Sequence, residues 1–249
     1  MIVLQFTEIQ AMLAEREAKL AHALAYFTFL RECQELQDWM NDQQVKAASE
    51  DYGTDVEHVE LLAQAFETIF SSLHNSTARV EECIQKGTDL IETGSNYSGD
   101  IKSKVTEIRY QWEDLLELAN ARQEALAGAK QVHMFDRTAE ETIAWIQEKA
   151  ATLSVDFYGQ DLESTQTLIR EHVAFESELN AVRDQVEAIE LEAEKLIETF
   201  PDAEEHITVK KEDTQAAWDE LKVKSAEKRH NLQQAEQLQS YYDHHQEFL

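Results

Sequence analysis

The sequence predicts an all-α chain: tandem left-handed three-helix coiled-coil bundles joined by a continuous helix into an elongated rod. Three observations carry that expectation. Only 6 Gly and 1 Pro occur among 249 residues, so the residues that punctuate strands and turns are scarce. Apolar residues recur at alternating steps of three and four, the seven-residue pattern of helices wound left-handed about one another. The pattern also returns after 106 residues without a gap: Trp39 pairs with Trp145, Trp112 with Trp218, Tyr52-Gly53 with Tyr158-Gly159, and LIET at 90–93 with LIET at 196–199.

Taken in order, residues 1–25 form the third helix of a preceding repeat, because Ile2, Phe6, Ile9, Arg16 and Leu20 stand 106 before Ile108, Trp112, Leu115, Arg122 and Leu126. Residues 26–131 make the first full repeat. Its first helix carries Trp39 and closes at Gly53, and Thr54 with Glu57 is expected to open the second as a capping box. The second-helix seam reads Val56, Val59, Leu62, Phe66, Ile69, Leu73, Ser76, Val80, Cys83, Gly87, Leu90, softened at Ser76 and Gly87. Gly94 to Gly99 mark the next turn, and the third helix follows with Ile101, Val105, Ile108, Trp112, Leu115, Ala119, Arg122 and Leu126.

Residues 132–237 repeat the scheme. Phe135, Thr142 and Trp145 are expected on the first seam, and Leu162 to Phe200 supply the second, with His172 among its apolar positions. Asp202 with Glu205 is expected to open the third helix after Pro201. Its seam reads Ile207, Lys211, Thr214, Trp218, Leu221, Ser225, Lys228, Leu232. Residues 238–249 match the start of a following first helix. Between the repeats, from about Leu115 to Ala150, the only breaker is Gly128, which costs roughly 1 kcal/mol in a helix relative to Ala. One helix is therefore expected to run through the joint.

Lys and Arg number 22 against 50 Asp and Glu, a formal net charge of −28, so nucleic acid is excluded as a partner and an anionic membrane surface is a poor one. No apolar run approaches ~18 residues and no leader pattern is visible, so neither a membrane span nor a signal peptide is expected. Cys33 and Cys83 lack a CxxC frame and read as small buried hydrophobes. A di-iron bundle needs two inward Glu-x-x-His pairs. Only Glu227-x-x-His230 fits, with Asp55-x-x-His58 a poor second, both off the seam, and His244-His245 reads as an exposed helix end. No catalytic, cofactor or metal site is expected, and no enzyme. The Trp set and His172 read as core, and Arg122 and Lys228 as side chains lying along the core edge with the charge reaching a carboxylate or a loop carbonyl.

A 106-residue three-helix unit with Trp in helices one and three, and DYG or FYG followed by Asp after helix one, resembles the spectrin repeat. FDRTAEETIAWIQEK is similar to the family's first-helix pattern, and DLESTQTLIREHVAFESEL, including His172, to its second. The third-helix pattern is met by Trp112, Leu115, Arg122, Leu126 and by Trp218, Leu221, Lys228, Leu232. Phe66 in place of His, Lys228 in place of Arg and Phe6 in place of Trp depart from it. The resemblance implies an interior repeat pair of a spectrin chain, with α-actinin and dystrophin-like rods as alternatives. It further implies a cytoplasmic cytoskeletal rod at the cell cortex, within a protein that crosslinks actin through its other parts. Implied partners are another spectrin chain and an ankyrin-type adaptor. In such proteins a lone third helix can complete a bundle with two helices of another chain, which makes Ile2, Phe6, Ile9, Leu13 and Leu20 a candidate partner-binding stripe.

Overall fold

The computed structural model describes residues 2–154 and 156–246, with side chains from Phe6 to His244 apart from position 155. Five long helices account for nearly all of these residues: α1 (Ile2–Ala47), α2 (Val56–Glu92), α3 (Ser98–Leu153), α4 (Leu162–Thr199) and α5 (Glu204–Gln246). A 3₁₀ turn, Pro201–Ala203, joins α4 to α5, and no strand occurs among the described residues. Contacts divide the chain into two units, meeting at Ala129 and Lys130.

In the first unit the core stripe of α1 is Tyr26, Phe29, Cys33, Leu36 and Met40, alternating three and four. It packs with Val59, Phe66, Leu73, Val80 and Cys83 of α2 and with Ile101, Ile108, Trp112, Leu115, Ala119 and Leu126 of α3. Helix directions follow from sequence arithmetic. Antiparallel neighbours touch at a constant sum of residue numbers and parallel neighbours at a constant difference. Glu32 with Lys86 and Cys33 with Cys83 keep a nearly constant sum, so α1 and α2 are antiparallel. Tyr26 with Asp100 and Gln37 with Gln111 keep a constant difference of 74, so α1 and α3 run parallel.

The second unit uses the latter half of α3, then α4 and α5. Between α3 and α5 a constant difference of 70 appears, in Asp136 with His206 and in Glu140 with Lys210. Its apolar interior forms two clusters rather than one: Ile146, Leu179, Val182, Val186, Trp218 and Leu221 in the first, and Phe135, Ile189, Ala193, Leu196 and Ile207 in the second. Buried Thr142 and Thr214 lie between them in sequence, at positions that Leu36 and Ile108 fill in the first unit. Each Thr hydroxyl is turned back onto a carbonyl of its own helix, Thr138 and Lys210 respectively.

The turns after the first helix of each unit are built alike. Gly53 has φ +80° and Gly159 +98°, the left-handed region that an L side chain enters only at a cost. A Cβ at Gly53 would lie 2.8 Å from the Val59 backbone nitrogen, and one at Gly159 would strike the Thr165 hydroxyl and backbone. The helix that follows each glycine is capped by an Asp. The α2 N-cap is Asp55, accepting from the His58 amide at 2.8 Å, one residue later than the Thr54–Glu57 box expected from sequence. The full capping box belongs to α4, where Asp161 accepts from the Ser164 amide and the Ser164 hydroxyl accepts from the Asp161 amide. Asp202 falls inside the 3₁₀ turn, so it does not open α5, which begins at Glu204.

Candidate functional site

α3 is one α-helix of 56 residues that supplies the third helix of the first unit and the first helix of the second. Gly128 lies buried in its interior without interrupting it. The core stripe of α3 changes phase near this glycine, from Leu115, Ala119, Arg122 and Leu126 to Phe135, Ala139, Thr142 and Ile146. Trp145 is only half-buried, at the rim of the cluster around Ile146, and the seam itself runs through Ile146. Trp39 is likewise half-buried, stacked on the buried Trp112 with ring centroids 6.3 Å apart. Trp112 and Trp218 are the indoles that enter the core proper.

α1 repeats the pattern of α3, but the large apolar residues of its first half, from Phe6 to Leu24, are exposed. Phe6, Ile9, Leu13 and Leu20 are 60%, 56%, 55% and 62% exposed, whereas Trp112, Leu115, Ala119 and Leu126, each 106 residues on, are buried. Ile2 has helical backbone, and its side chain lies outside the described residues. Met12, Leu24 and Phe27 add further exposed apolar surface to the same helix.

The cations on the third helices tie each bundle to its first turn. Arg122 donates from Nη2 to the Asp51 carbonyl and lies 4.7 Å from the Tyr52 ring centre. Lys228, 106 later, donates to the Phe157 carbonyl at 3.2 Å and lies 4.4 Å from the Tyr158 ring centre. Both are charge-assisted bonds reinforced by an aromatic face. They differ in fit, because Arg122 is buried with Nε and Nη1 lacking a hydrogen-bond partner, while Lys228 is only half-buried. Orphaned donors of this kind cost free energy.

His172 is buried on α4, stacked on Phe175 at 5.9 Å, with Nε2 3.5 Å from the Ser225 hydroxyl and 3.5 Å from Glu176. At the corresponding places the first unit has Phe66 and Ala119, both buried. The polar pair replaces an apolar pair as a set, since a buried imidazole requires a partner. Sequence reasoning found the His and missed the partner, whose only signal is the Ala-to-Ser change 106 residues apart. It also missed the cross-helix pairs Asp136–His206 at 2.8 Å and Glu140–Lys210 at 2.5 Å, legible as acid and base 70 residues apart.

Among the described residues no group of three or more His, Cys, Asp or Glu is arranged to hold a metal ion. Glu227 and His230 are both exposed. No described helix is long and apolar enough to cross a membrane. Among the described residues the arrangement offers packed helices, loop ties and a stripe of exposed apolar side chains on α1.

A family profile for the spectrin repeat matches residues 24–128 and again 130–234. Among curated relatives, the spectrin beta chain of Drosophila melanogaster is 30% identical over 220 residues, covering 88% of this chain and 10% of that protein. The erythrocytic spectrin alpha chain 1 of Mus musculus is 26% identical over 84% of this chain and 9% of its own length. The erythrocytic spectrin beta chain of Mus musculus is 27% identical over 95% of this chain and 11% of its own length. The chain thus spans about a tenth of the length of the curated relatives it matches. Two consecutive profile matches, one for each helical unit, establish that the chain belongs to the spectrin repeat family.

Proposed function

We propose that this chain is a non-enzymatic cytoskeletal spacer, a semi-rigid, elastic rod segment of a cortical, cytoplasmic protein that crosslinks actin through its other parts. Residues 26–131 and 132–237 are its two complete repeats, residues 1–25 the third helix of a preceding repeat, and 238–249 the start of a following first helix. The observation that carries this reading is α3, one uninterrupted helix belonging to both repeats. A load on one repeat then reaches the next through a backbone whose hydrogen bonds are unbroken, rather than through a flexible linker. Small-angle scattering tests the rod: an elongated monomer is expected, and a globule with a radius of gyration near 2.2·N^0.38 Å would rule it out. Gly128→Pro should separate the unfolding of the repeats, and unchanged cooperativity would count against coupling through α3.

A second reading rests on the exposed stripe Phe6, Ile9, Leu13 and Leu20, whose counterparts in α3 are buried. In this reading α1 docks a partner, with two helices of another spectrin chain completing its bundle. Binding of a two-helix partial repeat, abolished by Phe6→Asp, supports that role, and no binding at high concentration removes it. An ankyrin-type adaptor on the acidic faces is the other proposed partner, tested by pull-down.

A further inference from the structure

We propose that the first repeat carries a redox modification site in which Cys83 is the reactive thiol and Cys33 the resolving thiol. A two-electron oxidant would close a disulfide between α1 and α2. The two sulfurs lie 3.7 Å apart, both as free thiols, 50 residues apart in sequence on antiparallel helices. A disulfide bond is about 2.05 Å long, so closure would draw together two sulfurs that already start near van der Waals contact.

Access separates the roles. Cys33 has no exposed surface, whereas Cys83 keeps 7% and lines a surface cleft of about 210 Å³ together with Arg79, Lys86, Glu32 and Glu82. A small peroxide, little larger than the ~30 Å³ of a water, fits that space. Lys86 is held over the cleft by Glu32 at 3.2 Å and Glu82 at 3.3 Å. The hydrogen bond shared with Cys33, and after it Lys86 and Arg79, hold the Cys83 thiol below its ordinary value against burial and Glu32. Cys33 is pushed up by its bond to Cys83 and by burial. A low thiol that reaches the floor of a surface cleft, beside a second thiol with no exposed surface, is the arrangement that favours oxidation to a disulfide.

The chemistry balances with hydrogen peroxide. The Cys83 thiolate attacks one peroxide oxygen, the O–O bond breaks, the departing hydroxide takes a proton and leaves as water, and Cys83 becomes a sulfenic acid. Cys33 then loses its proton and attacks the Cys83 sulfur. The S–O bond breaks and a second water leaves. Two thiols and one peroxide give one disulfide and two waters, sulfur being oxidised and oxygen reduced.

The second repeat supplies the comparison, since 106 residues on stand Ala139 and Ile189, both buried and neither able to crosslink. Packing at these positions does not require sulfur, and the lock is confined to the first repeat.

The full chain is treated with peroxide, quenched with N-ethylmaleimide and digested without reductant. The expected product is a linked Cys33–Cys83 peptide, two hydrogens lighter, in a monomeric chain, reversed by dithiothreitol. The oxidised first repeat should also melt at a higher temperature than the reduced one. Cys33→Ala should leave a Cys83 sulfenic acid that dimedone traps, and Cys83→Ile should leave Cys33 unmodified at the same dose. Both variants carry the second repeat's residues, and circular dichroism verifies their helix content. Two thiols still free, crosslinks only between chains, or modification of Cys33 ahead of Cys83 would overturn the assignment.

Discussion

At the scale of single residues, the two repeats solve one problem with different side chains, and the differences travel in sets. Phe66 with Ala119 becomes His172 with Ser225, and Cys33 with Cys83 becomes Ala139 with Ile189. The 106-residue spacing made the positions legible, but the compensation was not, because it joins residues 50 or 53 apart on different helices. Glu140 and Lys210 show how such a cross-helix pair reports on pH. The hydrogen bond from Lys210, aided by its charge, holds Glu140 below its ordinary value, and the same bond holds Lys210 above its own. Folding therefore draws stability from Glu140 above the ordinary carboxylate range of about 4.3, and loses it as pH falls through the depressed value. The Lys210 contribution is present below about 10.4 and is lost as pH rises through the raised one. Glu140 is well exposed, so solvent screening limits the pair to about 0.2–1 kcal/mol. Glu140→Gln should destabilise the second repeat by that amount at neutral pH, and the difference from the parent should close in urea titrations near pH 2.

At the scale of elements, the periodicity placed all five helices and the breakers marked the turns that hold the three left-handed glycines, Gly53, Gly94 and Gly159, because heptad spacing and breaker residues are local signals. It misjudged where α2 and α5 open, since an N-cap depends on which side chain reaches an amide and neighbouring Thr and Asp compete for that place. It also placed Trp145 on a seam that runs one residue further on, through Ile146, just as the α1 seam runs through Met40 beside Trp39. The divided core of the second repeat supports a prediction. Thr142 and Thr214 bury hydroxyls whose partners are carbonyls of their own helices. Replacing both by Val keeps their shape and removes the burial of two polar groups, while those carbonyls keep their helical bonds. Thr142→Val with Thr214→Val should stabilise the second repeat by about 1–2 kcal/mol, seen as a raised midpoint for that repeat alone in thermal unfolding. In the first repeat, oxidation of the cysteine pair would close a loop that chain-entropy arithmetic values at about 4 kcal/mol.

At the scale of the whole molecule, composition and charge gave the helical class and set aside nucleic-acid partners, while the family followed from motifs that recur at fixed spacing. The repeats are chemically unequal, one carrying a thiol pair, a single apolar cluster and a buried guanidinium, the other two apolar clusters, buried hydroxyls and a buried imidazole. They nonetheless share α3, and that sharing has a kinetic side. Starting a helix is the unfavourable step, with a nucleation constant of roughly 10⁻³, whereas lengthening an existing one adds a hydrogen bond for each residue fixed. A repeat that refolds beside an already folded neighbour inherits a helical end and has only to propagate it. In double-jump stopped-flow experiments the second repeat should refold faster when the first is already native, and Gly128→Pro should erase that advantage. The junction helix is thus a template as well as a connection: whichever repeat folds first supplies the other with its nucleus.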